Sequence, residues 1–326
     1  MNKGRRILAG LLPAFLSSSA FADDFKYELG LTYSSLSIDG LSSQSPRPPD
    51  LPGFNVEFQE DIDQFGVSGS WYYGGVTASD GPRTRAAFLS RASFLTFDYW
   101  SLDGAQDSQV FADDDANITN PNDRFIENSD SVTLNGRYVW DSGWFVDAGL
   151  NRFDTKRRSS NLDPPGLGGF EVMTYRAGAG RYIGNNHTVG LAVDVLDFNI
   201  SSGTSIEYTL NYAAVGSLGA SWDYSADVNV TVGEDSLSDG SYEAELLLYP
   251  SRSFGFGAGI HDSFGSGAST FGDRINNYGT AYDLNVNWFP SEALGLEAVY
   301  RIIDEDDGPG TEFEVDAFNL SAVFRF

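Results

Sequence analysis

The fold of this chain is decided by residues 206–222, which read IEYTLNYAAVGSLGASW. Even positions are apolar or small, with aromatic residues such as Tyr208 and Trp222 toward the two ends, while odd positions are polar or small. A period of two predicts a β-strand with one apolar face. The stretch is longer than the usual strand of about five or six residues, and its aromatic ends favour a strand that faces lipid. Ala214, near its centre, is predicted to lie at mid-membrane.

Residues 1–22 predict a secretory signal peptide. Three basic residues precede an apolar run at 7–16, which is too short to span a bilayer, and Ala-Phe-Ala at 20–22 fits a small-x-small cleavage site. A buried N-terminal helix is the alternative. We expect residues 23–326 to form the exported protein, a single outer-membrane β-barrel.

The composition narrows the classes of protein that fit. The chain has no cysteine, so it has no disulfide framework and no thiolate chemistry. After residue 22 no apolar run approaches the length of a transmembrane helix. Since only helices and closed barrels satisfy every backbone group in lipid, a membrane location requires a barrel. No Gly-rich phosphate loop and no zinc motif is found, and we predict no cofactor.

The charge balance is strongly acidic. The sequence has 20 basic and 46 acidic residues, and without the three basic residues of the predicted signal peptide the net charge is −29. Nucleic acid is therefore excluded as a partner. The acidic excess has two interpretations, which are compatible: solubility of long surface loops, and a field that favours cations.

Alternating segments recur along the whole chain and predict a transmembrane antiparallel up-and-down barrel of fourteen strands, an all-β fold. An even number is typical of bacterial barrels, and twelve or sixteen are the alternatives. The predicted strands are about 25–37, 54–74, 85–100, 132–140, 144–150, 170–183, 189–195, 206–222, 228–232, 244–248, 254–260, 282–288, 294–300 and 312–326.

Short turns alternate with longer polar stretches, which predicts a periplasmic end and an extracellular end. Aromatic residues beside the short turns predict a periplasmic girdle formed by Trp140, Trp144, Trp222, Tyr249 and Trp288. The longest polar stretch, 101–129, is predicted to be an acidic loop. Its Asp113–Asp115 run, with Asn117 and Asn122-Asp123, offers oxygen ligands for a hard cation. An ordinary solvated loop is favoured, because the spacing does not match an EF-hand.

The C-terminal residues predict an assembly signal. One face of the last segment carries Phe318, Leu320, Phe324 and Phe326. This pattern resembles the terminal strand of bacterial outer-membrane barrels, which the barrel-assembly machinery recognises.

A second resemblance lies at 65–93. Phe65–Tyr73 ends in aromatic residues, Gly81-Pro82 follows, and Ala86–Ser93 reads AAFLSRAS. This stretch resembles the general bacterial porins of proteobacteria. The resemblance implies a passive channel in the outer membrane of a Gram-negative bacterium and supplies no catalytic residue. Arg91 is the charged position shared with that pattern, and its parity points it into the lumen.

Strand parity predicts which charges line the pore. A basic wall is predicted on strands 3 to 6, and an acidic wall mostly on strands 7 to 13. The two opposed walls would set a field across the pore; the alternative is that each charge pairs with a neighbour. The basic wall is Arg85, Arg91, Arg137 and Arg176, and the acidic wall is Asp194, Glu207, Asp227, Glu243, Glu245, Asp283 and Glu297.

An enzymatic reading is weak. His261 and Ser263 have the His-x-Ser spacing of outer-membrane lipases, but their parity turns them toward the lumen. We therefore predict a porin, not an enzyme, for passive diffusion of small hydrophilic solutes with a preference for cations. The alternatives are a substrate-preferring channel with a lumenal binding track and a non-conducting structural or adhesion barrel. Expected partners are outer-membrane lipid and lipopolysaccharide, the barrel-assembly machinery, solutes or cations, and other copies in a homo-oligomer.

Overall fold

The computed structural model describes residues 24–44, 54–77, 81–112, 123–159, 169–199, 204–234, 240–263, 280–304 and 311–326. The predicted signal peptide lies outside this part of the chain. Fourteen antiparallel strands close into one barrel, which confirms the predicted fold class and strand count. The strands are β1 (Asp24–Gln44), β2 (Phe54–Thr77), β3 (Ser93–Ala112), β4 (Asp123–Val139), β5 (Trp144–Ser159), β6 (Phe170–Ile183), β7 (His187–Phe198), β8 (Thr204–Leu218), β9 (Trp222–Gly233), β10 (Gly240–Ser251), β11 (Phe254–Ser263), β12 (Thr280–Trp288), β13 (Leu294–Asp304) and β14 (Thr311–Arg325).

Each strand pairs with its neighbours in sequence, and β1 closes the ring with β14. The closing register places Tyr33 opposite Leu320 and Glu28 opposite Arg325. Because neighbouring strands are antiparallel, all even-numbered strands end at the same end of the barrel. We call this the short-turn end, since short connections such as residues 140–143 follow these strands, and we call the opposite end the long-loop end. Closure leaves no unpaired sheet edge, as lipid requires.

The decisive stretch 206–222 is divided between two strands. β8 ends at Leu218, the chain turns at 219–221, and Trp222 opens β9 opposite Leu218. Gly219 explains the turn, since its φ of +73° lies in the left-handed region that glycine adopts without strain. The prediction of one strand was wrong because alternation continues through a tight turn. Ala214 was predicted to meet lipid, but it is only 3% exposed and lies opposite His187, beside the turn between β6 and β7.

The predicted acidic loop 101–129 is also largely strand. β3 continues to Ala112 and β4 begins at Asp123, so these two strands extend well beyond the predicted boundaries. Asp113–Asp115, Asn117 and Asn122 lie outside the described residues. Within the part of the chain that is described, no group of three or more acidic or histidine residues is arranged to hold a metal ion.

The outer surface of the barrel is apolar. On β12 the outward residues Tyr282, Leu284 and Trp288 are each about half exposed. Tyr282 and Trp288 lie six residues apart, which at about 3.4 Å per residue is about 20 Å along the strand. An outward apolar band of this height with aromatic rims is the surface of a barrel that spans a membrane.

The predicted aromatic girdle at the short turns is correct for the four tryptophans and wrong for the tyrosine. Trp140, Trp144, Trp222 and Trp288 are all exposed on the outer face. Tyr249 is 2% exposed and points inward. Its neighbours Leu246 and Leu248 face outward in the predicted parity, so the alternation itself places Tyr249 inside.

Among the described residues, the buried apolar side chains form separate patches on the wall of the barrel. One cluster packs at the short-turn end around Phe25, Tyr72 and Ala86. Two other clusters lie toward the long-loop end. One is on the inner faces of the strands around the β1–β14 seam and contains Leu36, Ile38, Ile62, Ala281, Ile303 and Val315. The other is on the inner faces of β6 and β7 and contains Phe170, Val172 and Leu196. The remaining inner face is available to polar and charged side chains.

Candidate pore interior and its constriction

The arginines of the predicted basic wall on β4 and β6 are paired with carboxylates one strand away. Arg137 binds Asp147 through two hydrogen bonds of 2.6 and 3.1 Å. Arg176 Nη1 lies 3.1 Å from Asp194 Oδ2, and Glu207 is the register partner of Asp194 on the next strand. Both pairs follow from antiparallel register, which puts the partners directly opposite each other. Neighbour pairing, the alternative to opposed walls, is therefore the observed arrangement for these residues.

A second charged group lies on β10 to β13. Arg301 donates two hydrogen bonds to Asp283, of 2.7 and 2.9 Å. His261 Nε2 lies 2.8 Å from Asp283 and 3.7 Å from Glu243. His261 therefore faces inward as predicted, within a lumenal charge network. The side chain of Ser263 lies outside the description.

The connection between β2 and β3 turns into the barrel rather than forming a turn outside it. We call residues 81–92 the inturned segment. Gly81, with φ +75°, and Pro82 lead into one turn of 3-10 helix (Arg83–Arg85) and a short helix α1 (Ala86–Leu89). Arg91 has a φ of 49°, the only positive φ of a non-glycine residue in the described chain, and it returns the chain to β3.

Two predicted pore residues are thereby placed differently. Arg85 and Arg91 were predicted on the wall of strand 3, but β3 begins at Ser93 and both arginines belong to the inturned segment. Strand alternation therefore cannot be used to decide whether these two side chains face the lumen. The small residues Ala86 and Ala92, 1% and 6% exposed, let this segment pack closely on Phe25 and Tyr72 of the first two strands.

The inturned segment crosses the barrel to the opposite wall. It leaves between β2 and β3, and Arg85 forms an ion pair with Asp227 on β9 and lies 3.5 Å from Glu245 on β10. In a ring of fourteen strands these partners are half a circumference away. The hydroxyl of Thr84 donates to that of Tyr249, which also lies 3.1 Å from the hydroxyl of Ser225. The buried tyrosine therefore forms part of the anchor.

Further bonds join the first residues of the inturned segment to two of the short turns. Arg83 Nη2 lies 3.0 Å from Glu292 Oε1, and the Arg83 N–H donates to the carbonyl of Arg252 at 3.0 Å. Arg252 Nε donates to the carbonyl of Gly81 at 3.1 Å. These bonds join the segment to the turns between β10 and β11 and between β12 and β13.

A buried arginine of β14 braces the segment from the wall. Arg325 Nε donates to Glu28 at 2.7 Å, and Nη1 donates to the Arg83 carbonyl at 2.9 Å. Its guanidinium lies 4.6 Å from the ring centroids of both Phe25 and Phe289, which is within the range of cation–π attraction.

The segment is fixed at a third point. Arg91 donates to the carbonyl of Gly184 and, at 2.6 Å, to Asn185 Oδ1 in the turn between β6 and β7. Phe88 packs against Tyr182 with ring centroids 5.6 Å apart. With anchors on β9–β10, at the β12–β13 turn and at the β6–β7 turn, the segment forms a bar across the short-turn end and narrows the barrel there.

Sequence reasoning missed this bar, although one signal was present. Residues 81–92 break the period of two with Gly-Pro and an alanine pair, a pattern that does not fit a strand. The partners Arg83, Tyr249 and Arg325 carry no comparable signal, since a strand arginine looks the same whether it pairs or lines an open pore.

Comparisons with known proteins support the architecture. No family model matches the chain, and no curated protein matches it in sequence. Among solved structures, the outer membrane protein Omp33 of Acinetobacter baumannii is similar with a TM-score of 0.53 and 16% identity, covering 93% of this chain and 99% of that one. The toluene transporter TodX of Pseudomonas putida is similar with a TM-score of 0.53 and 8% identity, covering 92% and 89%. These likenesses establish the fold, a barrel of the outer-membrane type.

No helix in the described ranges is long and apolar enough to cross a membrane.

Proposed function

We propose that this protein is an outer-membrane channel of a Gram-negative bacterium for passive diffusion of small hydrophilic solutes, with a preference for cations. The observation that carries the proposal is a closed barrel whose inner face bears charged side chains and is crossed by a bar at the short-turn end. This end corresponds to the periplasmic side. The similar structures are named as an outer membrane protein and a toluene transporter, which agrees with a transport role.

The preference for cations is argued from charges near the bar. Asp227, Glu243, Glu245 and Glu297 point inward from strands β9, β10 and β13, and Arg85 is the cation that the bar brings to them. Carboxylates therefore exceed guanidinium groups in this part of the lumen. Clefts lined by one sign of charge raise the local concentration of counter-ions.

Glu243 provides the test of the preference for cations. Its side chain is 47% exposed, and its Oε1 lies 3.7 Å from His261 Nε2. Glu243→Gln should lower the K⁺ over Cl⁻ permeability ratio, read as the reversal potential under a KCl gradient in planar bilayers. The difference should shrink at 1 M salt, where the Debye length is about 3 Å.

Glu171→Gln is the matched control, because Glu171 lies on the outer face of β6 and pairs with Arg152 there. It should leave the ratio unchanged. Anion preference in the unaltered protein would contradict the proposal.

A non-conducting structural or adhesion barrel is the second candidate. The inturned segment favours it, since its anchors reach the wall opposite its origin. This candidate would be supported if neither the unaltered protein nor Arg85→Gln, which weakens the bar, conducts ions.

A channel for apolar solutes has less support. The inner wall carries an apolar cluster around Leu36, Ile38 and Ile303. Its members are at most 5% exposed, so they present little apolar surface to a solute even where Leu36 and Ile62 border a cavity.

The remaining parts of the proposal concern export and assembly. Residues 1–22 would direct export and be removed. Phe318, Leu320, Phe324 and Phe326 would be read by the barrel-assembly machinery, and the outer surface would contact lipid and lipopolysaccharide. Association into a homo-oligomer is part of the same hypothesis.

A further inference from the structure

A polar cavity of about 320 Å³ lies beside the inturned segment. Thr84 and Arg85 of the segment form one side, and β1, β10 and β12 to β14 form the other. The polar groups of the wall that face the cavity are Glu28, Glu245, Asn287, Glu297 and Arg325. A solute that passes between the bar and this wall would meet these groups.

Both cations of the cavity are already bound by carboxylates. Arg325 is held by Glu28 at 2.7 Å and also donates to a backbone carbonyl of the segment. Arg85 is paired with Asp227 and lies 3.5 Å from Glu245. Glu297, in contrast, has no hydrogen bond and no ion pair within 4.0 Å in the part of the chain that the structure describes, and Arg85 acts on it only electrostatically from a longer distance. The cavity therefore presents a carboxylate available to a ligand.

Two buried amides beside this carboxylate also have unused hydrogen-bonding groups. Asn287 is 4% exposed, lines the cavity, and its Nδ2 has no hydrogen-bond partner. Glu297 is its register partner on β13, yet the two side chains do not bond to each other. Asn285, two residues earlier on the same face, donates to Glu245 at 2.5 Å while its Oδ1 has no partner. Leaving a buried polar group without a partner is energetically costly, so the unpartnered Nδ2 of Asn287, which lines the cavity, points to a ligand.

The available groups define the chemistry of that ligand. The carboxylate of Glu297 accepts hydrogen bonds from a cation with N–H groups, and the amide N–H₂ of Asn287 donates to an oxygen. A divalent metal ion fits less well, because the guanidinium of Arg85 lies beside Glu245, and Ca²⁺ takes about six to eight oxygen ligands. A neutral solute would leave Glu297 without a directly bonded cation.

We propose that this cavity binds a small organic ammonium compound that also carries a hydrogen-bond acceptor, and that Glu297 and Asn287 recognise the two groups. The ammonium donates to Glu297, and the acceptor receives the N–H of Asn287. This inference rests on the proposed channel function, since it names the class of solute that the constriction selects.

Glycinamide is the probe, because it combines an ammonium with an amide carbonyl. Tetramethylammonium has the same charge and no N–H donor, and serves as the comparison ligand. Binding is measured by isothermal titration calorimetry on the folded protein in detergent, which does not require conduction. Saturable binding of glycinamide and no saturable binding of tetramethylammonium are expected.

Glu297→Gln should weaken glycinamide binding by at least about tenfold, because a hydrogen bond to a charged group is lost. Asn287→Leu, which replaces the amide by an apolar group of similar size, should also weaken it. Glu171→Gln on the outer face should leave it unchanged. Heat-dependent mobility on gels establishes that each variant is folded, and the two site variants test the inference independently.

The outcomes separate this inference from the channel proposal. Binding of glycinamide without conductance would support the site and contradict the channel. Conductance without glycinamide binding, or equal binding of both ligands, would overturn the site and leave the channel intact. Binding of Mg²⁺ that depends on Glu297, with no binding of glycinamide, would overturn the proposed ligand class.

Discussion

At the scale of single residues, the face of the strand decides what a charge does to the barrel. Leu134 on β4 is 43% exposed on the outer face, between Trp140 at the short-turn end and Asp130 farther toward the long-loop end. Its neighbour Thr133 faces inward and lines a cavity of about 360 Å³, together with hydroxyl and amide groups and with apolar side chains such as Leu36 and Phe153.

Leu134→Arg should lower the free energy of unfolding by about 2–4 kcal/mol, the range for a cation at the bilayer midplane. Thr133→Arg should lower it much less, because its side chain enters the lumen and not the lipid. Urea unfolding in lipid vesicles, followed by tryptophan fluorescence, measures both. Equal losses would show that the inner and outer faces of β4 are misassigned.

The sequence can predict which face of a strand a residue lies on, but not which distant residue it pairs with. Alternation is a local property, so it correctly places the outer tryptophans, and the parity of Leu246 and Leu248 indicates that Tyr249 faces inward. Pairing is not local. Arg85 and Asp227 are 142 residues apart, and nothing in the neighbourhood of either residue indicates the other.

At the scale of elements, the inturned segment is the feature that distinguishes this barrel from one with an unobstructed lumen. It is held by side chains rather than by a strand ladder, and Arg85 is the residue that reaches farthest across the lumen. The sequence could predict the fourteen strands because each repeats one pattern, while this segment occurs once and depends on contacts with β9, β10 and β14.

Arg85→Gln should weaken the bar, since it removes the ion pair with Asp227 and the interaction with Glu245. The expected result is a higher single-channel conductance with more frequent transitions between levels. Arg152→Gln is the matched control, because Arg152 pairs with Glu171 on the outer surface. Unchanged conductance in Arg85→Gln would show that the solute path does not pass the bar.

At the scale of the whole molecule, the barrel depends on one junction between segments that are far apart in sequence. β1 and β14 pair over fifteen residues, from Glu28 opposite Arg325 to Ser42 opposite Thr311. At the short-turn end Phe326 accepts backbone hydrogen bonds from Lys26 and Tyr27 and donates one to Tyr27, and its ring stacks on that of Tyr27 at 5.8 Å. Phe326 therefore has two roles to separate, a contact in the folded barrel and the proposed assembly signal.

Phe326→Asp should reduce the amount of assembled barrel in outer membranes, measured by heat-dependent mobility on gels. The physical reasons are lost apolar area toward lipid and a charge on the proposed recognition face. Refolding of the purified chain into lipid vesicles separates these reasons, because the assembly machinery is absent there. A defect in cells with normal refolding in vesicles assigns Phe326 to recognition, whereas a defect in both assigns it to the closing junction. Assembly at the normal level and rate in cells would contradict the role of the C-terminal aromatic in either process.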